Sequence, residues 1–419
     1  DGASLGLVAR QSLGLGDALR FSTGPAGAGW APLGLLVAAA LPLLVASGDR
    51  LAWATRAWLL VVVSYALAWV PGRIDHTLAR PEPEGVLVGA ALGLALATGL
   101  GVAAFADDLR QFLFGWRQVA AVVVAFGILA PVAGLVADSV SGRWRMPSRD
   151  WSEAVRWMGD ERRHGDFRVL WLGDPDVLPL APRTTNDTAY GLTRDGAGDV
   201  RNAFTARPGK GEPVIGDAIG LLAHQETARF GHLIAPMGVR YVALIRRAAP
   251  GGGIARNYDA AVRASLGEQL DLAIVQAEPD MMLYENQAWA PARAVVPAST
   301  PVGAPNGDPT DAALRAPLEG AAAVTGPLHA SRLPKAGTLL FADAYDARWR
   351  ASTAPGDLHH LRAFGWSNAY TAPASGTVDL HFVAGASRGL WLLLELVLWV
   401  GAVAGWFVLR RRDAAAVRP

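Results

Sequence analysis

The chain has 419 residues, a formal net charge of +1 and no cysteine. The lack of cysteine excludes a disulfide framework, a thiolate nucleophile and a cysteine zinc site. The near-neutral charge gives no electrostatic reason to expect a nucleic-acid partner. The first residue is Asp1, and no signal-type segment opens the chain. We therefore expect a fragment of a longer protein, with residues 1–29 as an N-terminal segment outside the cytoplasm.

Long apolar stretches separate membrane parts of the chain from water-soluble ones. A bilayer core of roughly 30 Å needs about 20 apolar residues in a helix. Four stretches of this kind are expected within residues 30–138, and a fifth covers residues 389–409. Tryptophans stand at several of their ends, as is typical of a membrane interface. The sequence therefore predicts a polytopic α-helical membrane protein with about five transmembrane helices; core helices of a soluble protein are the alternative.

The arginine distribution barely decides the orientation of these spans. A dense triplet at positions 410–412 follows the last span and favours a cytoplasmic C-terminus, with residues 410–419 as the tail. The large polar region would then lie outside the cytoplasm. Glu395 falls within the last span, where an acid is costly and is a candidate functional group. The alternative is a side chain directed toward Arg388 and the headgroups, or into the helix bundle.

Residues 150–290 alternate predicted helices and strands, which is typical of an α/β layer domain. Residues 150–163 have helical spacing with Asp150 as the N-cap. Strands are expected at 167–173 and 239–245. The other expected elements are a loop-rich stretch to Pro213, one helix over 214–238, a helix over 258–270, and a strand pair around Glu278-Pro279-Asp280.

The rest of the polar region has a different composition. Residues 291–325 are rich in alanine, proline and glycine, which predicts a linker. Residues 326–386 consist of short strand-like runs separated by turn residues. This pattern predicts a small antiparallel β-sandwich directly before the last membrane helix.

Asp174 and Asp176 form a D-x-D motif at the end of the strand predicted over 167–173. Two carboxylates at this spacing hold a divalent metal on a diphosphate in nucleotide-sugar glycosyltransferases, so both residues are catalytic candidates. The alternative is an ordinary turn, in which Pro175 fixes the backbone. A location outside the cytoplasm would also separate the motif from nucleotide sugars.

Other candidate residues are scattered along the chain. Asp75 lies in a short loop before the third apolar stretch and is the acid that an exoplasmic transferase would need near the membrane. Trp349, Trp366 and Tyr370 are candidates for stacking on sugars, and the core of the β-sandwich is their alternative place. The histidines lack the spacing of a metal site, so no metal centre is predicted in this segment.

Five phrases of the sequence carry a resemblance to a known family. They are FRVLWLGDPDVLPL (167–180), LIAPMGVRYVALI (233–245), MMLYENQAWAPARAVV (281–296), DAYDARWRAS (343–352) and AFGWSNAYTAPASGTVDLHF (363–382). In this order they resemble the C-terminal half of large actinobacterial membrane glycosyltransferases of family 2. Some are also similar to exoplasmic domains of arabinofuranosyltransferase-like polytopic proteins. The likeness covers roughly residues 150–410.

The resemblance implies a multi-pass protein of the cell membrane with its polar region outside the cytoplasm and its C-terminus inside. It implies a cytoplasmic catalytic domain before Asp1, so this segment would be the membrane and accessory part of an enzyme of envelope polysaccharide synthesis. No catalytic residue carries over, and a divalent metal is expected only in the full-length enzyme. The implied partners are membrane lipid and a polyprenyl-linked sugar or envelope glycan.

Two other functions stay open at this point. One is a non-enzymatic assembly or transport component whose outer domain binds a glycan or a protein. The other is an exoplasmic transferase that uses a polyprenyl-phosphate sugar and depends on Asp75.

Overall fold

The computed structural model describes most of the chain in segments. The described residues are 13–23, 30, 32–70, 83–108, isolated positions between 125 and 142, 148–185, 188–199, 202, 210–258, 260–304, 307–383 and 386–416. The chain forms two compact units, Asp1–Ala290 and Pro291–Pro419.

The first unit contains eight described helices and eight strands. The helices are α1 (Leu15–Leu19), α2 (Leu33–Val45), α3 (Asp49–Trp69), α4 (Pro83–Asp108), α5 (Trp151–Ala154), α6 (Glu212–Ala223), α7 (Phe230–Ile234) and α8 (Ala260–Gly267). The strands are β1 (Arg168–Gly173), β2 (Arg183–Thr185), β3 (Thr188–Arg194), β4 (Val239–Ile245), β5 (Arg247–Ala249), β6 (Gly252–Ala255), β7 (Leu272–Ala277) and β8 (Met281–Asn286). The described part of the unit also contains two 3-10 helices, Arg156–His164 and Ala235–Met237.

Three helices of the described residues are long and apolar enough to cross a membrane. Their apolar spans are Asp49–Trp69, Pro83–Ala104 and Gly389–Trp406. The first of the predicted spans corresponds to α2, which has 13 residues and ends at Val45. At 1.5 Å per residue it is shorter than the roughly 30 Å of a bilayer core. The fourth of the spans predicted within residues 30–138, which covers 118–137, lies largely outside the described residues.

Small residues let α3 and α4 pack closely together. A Cβ atom added at Gly93 would lie 2.6 Å from a Val61 methyl carbon and 2.7 Å from the Ala57 carbonyl oxygen. A Cβ atom added at Gly89 would lie 2.5 Å from the Ser64 hydroxyl oxygen. Glycines spaced by four residues at a helix contact are typical of membrane helix pairs, because they let the backbones approach.

The polar part of the first unit is built on a six-stranded mixed sheet with the order β2-β3-β1-β4-β8-β7. The β1–β4 pair is parallel, and the other pairs are antiparallel. The predicted strands at 167–173 and 239–245 and the predicted strand pair β7–β8 are present. Asp150 accepts a hydrogen bond from the Glu153 amide, which confirms the predicted N-cap.

Two elements of this region differ from the prediction. The single helix expected over 214–238 is divided into α6 and α7, because Gln225, two residues after the end of α6, takes a positive φ of 59°. The stretch expected to be rich in loops contains β2 and β3. The β3 strand pairs with the whole of β1 and extends the sheet on that side.

The second unit contains a two-sheet β-structure and a long terminal helix. Its elements are β9 (Arg293–Val296), α9 (Pro309–Arg315), β10 (Ala322–Ala323), β11 (Ser331–Leu333), β12 (Gly337–Ala344), β13 (Trp349–Thr353), β14 (Gly356–Asp357), β15 (His360–Ala363), β16 (Ser367–Ala372), β17 (Gly376–Phe382) and α10 (Ala386–Ala416). One sheet has the order β10-β9-β12-β16-β15, and the other has the order β11-β17-β13-β14. Every pairing is antiparallel.

The core of this β-structure draws on both sheets. Leu339 and Tyr370 come from the five-stranded sheet, and Ala351, Val378 and Leu380 come from the four-stranded one. All five side chains are buried. The two sheets therefore enclose one apolar core in the manner of a sandwich.

The predicted linker, 291–325, differs from the structure because it contains β9, α9 and β10. The β9 strand lies between β10 and β12, and Val295 and Val296 are buried. The linker prediction was based on the overall frequency of alanine, proline and glycine. The overall composition does not reflect the four-residue run RAVV, which is compatible with a buried strand.

Candidate functional site

The D-x-D motif forms a turn at the end of β1. The Asp174 carboxylate accepts a hydrogen bond of 2.9 Å from the Asp176 amide, as in an Asx-turn. The Arg256 guanidinium donates to the Asp176 carboxylate at 2.6 Å and lies 3.9 Å from the Asp174 carboxylate. The chain's own cation thus lies beside both carboxylates, where its positive charge opposes the binding of a divalent metal.

This arrangement favours the structural reading of the motif. Arg256 lies directly after the β5–β6 hairpin, and its amide donates to the Arg246 carbonyl. The contact therefore attaches the hairpin to the end of β1. No cluster of three or more acidic or histidine side chains suited to a metal occurs among the described residues.

The three aromatic candidates of the β-sandwich lie in different surroundings. Trp366 is 5% exposed and Tyr370 is 0% exposed, so neither ring offers a face to a sugar. Trp349 is partly buried and packs edge-on against Phe341 and Phe382, with ring centroids 4.8 and 5.3 Å apart. The three side chains do not form one surface.

Tyr370 belongs to an aromatic stack inside the sandwich. The His360 ring lies between the rings of Tyr370 and Tyr345, at centroid distances of 4.7 and 4.9 Å. Its Nε2 atom is 3.0 Å from the Asn368 side-chain oxygen. Since the Asn368 amide nitrogen donates to two backbone carbonyls, its oxygen faces His360 and the imidazole Nε2 carries the proton.

The remaining sequence candidates are far less informative. Asp75 lies outside the described residues. Glu395 lies on α10, in the apolar span Gly389–Trp406, and its side chain is exposed on the surface of that helix. No residue of this span is buried within the protein.

A buried polar network around α7 was not found from the sequence. The Asp271 carboxylate accepts hydrogen bonds from the amides of Gly231 and His232 at 3.0 and 2.8 Å. It also lies 2.7 Å from the His232 Nδ1 atom. Gln269 accepts from the Phe230 amide at 2.8 Å, so these two side chains satisfy the first amides of a short helix.

Asn286 completes this network from β8. Its amide nitrogen donates to the carbonyls of Gly231 and Val239 at 2.9 and 3.0 Å, and its side-chain oxygen accepts from the Ala288 amide. Asn286 is 0% exposed. Apart from the contact between Asp271 and the His232 ring, the hydrogen bonds named here hold backbone groups, so we interpret the network as structural.

The mixed sheet carries a cavity of about 350 Å³ beside β1 and β3. Its charged groups bind within the protein: Arg183 pairs with Glu212, and Arg168 donates to the Met237 carbonyl at 2.6 Å. Burial raises the pKa of the Tyr190 hydroxyl at its wall. These charges are already committed to internal contacts.

A second, more open cleft of about 940 Å³ lies between α8 and the β7–β8 hairpin. Its charged lining consists of Arg246, Arg263 and Glu278. The Arg263 guanidinium lies 5.7 Å from the centre of the Tyr258 ring. Within the described residues, neither arginine side chain makes a hydrogen bond or an ion pair. No pattern in the sequence indicates this cleft, because its residues come from four separate segments without a shared motif.

Comparison with known proteins returns no relatives. No family model matches the chain, and neither a curated protein nor a solved structure is similar to it.

Proposed function

We propose that this chain is the membrane and accessory part of a bacterial glycosyltransferase of envelope polysaccharide synthesis. In this proposal the catalytic centre lies elsewhere in the enzyme. The polar regions outside the membrane then bind a lipid-linked sugar or an envelope glycan and position it. The phrases over 167–382 that resemble family-2 membrane glycosyltransferases support this function.

One structural observation supports an accessory role most directly. Arg256 lies against both carboxylates of the D-x-D motif and donates to Asp176 at 2.6 Å. A motif that serves a metal-dependent transferase presents free carboxylate oxygens to the metal. Here the pair of acids has a protein cation instead, and it links the end of β1 to the hairpin of β5 and β6.

The proposed location is the cell membrane, with several spans, the polar regions outside the cytoplasm and the C-terminus inside. The three apolar helices that are long enough to cross a bilayer support membrane insertion. The arginine triplet after the last span favours a cytoplasmic tail.

The native chain has no cysteine, so single cysteines are clean reporters of its topology. Glu226→Cys, Ser375→Cys and Ala414→Cys place one thiol in each polar region and one in the tail. In intact cells, a membrane-impermeant maleimide should label the first two variants, and it should label Ala414→Cys only after permeabilisation. The cysteine-free parent is the matched control.

The opposite labelling pattern would place the polar regions in the cytoplasm and overturn the proposed accessory role. The enzymatic part of the proposal has a separate readout. Cells depleted of the full-length protein should lose a defined sugar from their envelope polysaccharide, as measured by composition analysis. An unchanged composition would contradict a role in polysaccharide synthesis.

A further inference from the structure

Four arginines lie close together in sequence around the open cleft, and they differ in their partners. Arg247 donates to the Asp280 carboxylate at 3.0 Å, and Arg256 donates to Asp176. Arg246 and Arg263 line the cleft and make no hydrogen bond or ion pair among the residues that the structure describes. An arginine without an anion is a ready partner for a phosphate or a carboxylate, which its planar group binds with two parallel hydrogen bonds.

Arg246 and Arg263, the two arginines whose side chains make no hydrogen bond or ion pair among the described residues, line the same cleft as Tyr258. Burial raises the pKa of the Tyr258 hydroxyl, and the charges of Arg246 and Arg263 oppose this rise. The Arg263 guanidinium lies 5.7 Å from the centre of the Tyr258 ring, and Arg246 lines the same cleft. The Tyr258 hydroxyl itself donates to the Pro279 carbonyl at 3.3 Å, so its ring is held at the cleft wall.

The acids near these arginines have other hydrogen-bond partners, although the charge of Arg246 also contributes to lowering the pKa of Asp280. The Asp280 carboxylate accepts from Arg247 and from the Gly251 amide at 2.9 Å. Glu278 accepts from the Gln276 side chain at 2.6 Å and is the one acid among the described residues of the cleft lining. With two arginines and one glutamate, the described lining has a charge of +1.

The rest of the lining combines polar and apolar groups. Asn257 offers a side-chain amide, and Glu278 keeps acceptor capacity beyond its bond to Gln276. Ile274 and Met282 supply an apolar wall. A ligand suited to this lining has one anionic group, several hydroxyl groups and a compact ring with an apolar face. A simple anion as the ligand would contact only the arginines, and a lipid tail would contact only the apolar wall.

We propose that this cleft binds an anionic sugar. Its phosphate or carboxylate is held by Arg246 and Arg263, its hydroxyl groups by Asn257 and Glu278, and its ring lies against Tyr258. The choice of a sugar as the ligand rests on the proposed function, whereas the anion site rests on the unpaired arginines. The cleft has the volume of a typical small-molecule site.

Calorimetry on the full chain in lipid nanodiscs tests this assignment. The probes are glucose 1-phosphate, glucuronic acid, neutral methyl glucoside, glycerol 1-phosphate and inorganic phosphate. At least one of the two anionic sugars should bind about tenfold more tightly than each of the three other probes. The sugar that binds more tightly then identifies the preferred anion.

Two variants decide whether the cleft is the site. The double variant Arg246→Gln/Arg263→Gln should weaken binding of the anionic sugar by at least about tenfold. Arg315→Gln is the matched control, because it removes an exposed arginine on α9, and it should leave the affinity unchanged. Unchanged thermal unfolding of the double variant establishes that it folds.

Several results would overturn the proposal. The double variant could bind the anionic sugar as tightly as the parent does. Glycerol 1-phosphate could bind as tightly as the anionic sugars, which would indicate a lipid headgroup as the ligand. Inorganic phosphate could also bind as tightly as the anionic sugars. These outcomes are independent of the topology test. If the polar regions are cytoplasmic but the cleft binds an anionic sugar, only the accessory role is refuted. If the topology is as proposed but the cleft binds no sugar, only the assignment of the cleft as a sugar site is refuted.

Discussion

The polar network around α7 in the first unit and Tyr370 in the sandwich of the second show two different results of burying a polar side chain. Around α7, Asp271, Gln269 and Asn286 bind backbone amides and carbonyls that would otherwise be unpaired. In the sandwich, the buried Tyr370 hydroxyl has no hydrogen-bond partner among the described residues. A buried polar group stabilises a fold only when it is hydrogen-bonded. Burial alone is therefore a poor guide to the effect of a substitution in this protein.

Asp271→Ala should have the largest effect on the first unit. It removes the acceptor of two backbone amides and of the His232 ring, which leaves buried donors unpaired. We expect a loss of about 3 kcal/mol in the free energy of unfolding. Thermal unfolding, with hydrogen exchange of the peptide over 230–238 in the full chain, measures the loss and locates it.

Asp311→Ala is the control for this variant, because Asp311 forms an exposed pair with Arg315 on one helix. Such pairs contribute about 0.3–0.5 kcal/mol. Equal destabilisation by the two variants would contradict the structural role of the network.

Gly337→Ala should have the largest effect on the sandwich. Gly337 has a φ of +150°, and an added Cβ would overlap the Val296 carbonyl oxygen on the neighbouring strand. We expect a loss of about 2 kcal/mol in the free energy of unfolding. Gly303→Ala, which meets no atom within 4 Å, should be close to neutral in the same thermal unfolding measurement.

The sandwich should also lose stability below neutral pH. Burial lowers the pKa of His360 from its usual 6.5, and the hydrogen bond to Asn368 only partly opposes this. The folded state thus binds the proton less tightly than the unfolded state, so stability is full above pH 6.5 and falls as the pH drops below it. Melting curves between pH 8 and 5 should show this loss.

His360→Gln should reduce that pH dependence, although it also removes the stacked ring. His329→Gln, at an exposed position, should retain the dependence of the parent. An identical pH profile for the parent and His360→Gln would assign the effect to other groups.

Tyr370→Phe should have the smallest effect. It removes a hydroxyl that has no partner in the described structure and keeps the ring of the aromatic stack. We expect the free energy of unfolding to change by no more than about 0.5 kcal/mol, in the direction of a slight gain in stability. Ser331→Ala is a useful contrast in the same assay, because Ser331 accepts from Arg293 at 2.8 Å and donates to a carbonyl, and its loss should cost about 1 kcal/mol.

Local patterns predicted much of this fold. The runs VRYVALI and FRVLWLG gave strands because buried strands are continuous and apolar. The Asp150 cap followed from one residue type before a helical pattern. Elements that depend on a partner were missed: β3 is a strand because it pairs with β1, and β9 because it pairs with β12.

The candidate sites were harder to predict for the same reason. Asp174 and Asp176 form an attractive motif in sequence, but their meaning depends on Arg256, which is 80 positions from Asp176 along the chain. The cleft depends on which arginines lack a partner. That property belongs to the folded structure, since Arg246 and Arg247 are neighbours in sequence and only the second binds an acid.

The short chain segment between β17 and α10 limits how far the sandwich can move away from the start of α10. The strand ends at Phe382 and the helix begins at Ala386, which leaves four Cα–Cα steps of about 3.8 Å, or at most about 15 Å of chain. If the span Gly389–Trp406 crosses a bilayer, this tether keeps the sandwich within reach of the lipid headgroups. Whatever the sandwich binds must then approach it at the membrane surface, because the domain cannot move out into the surrounding solution to meet it.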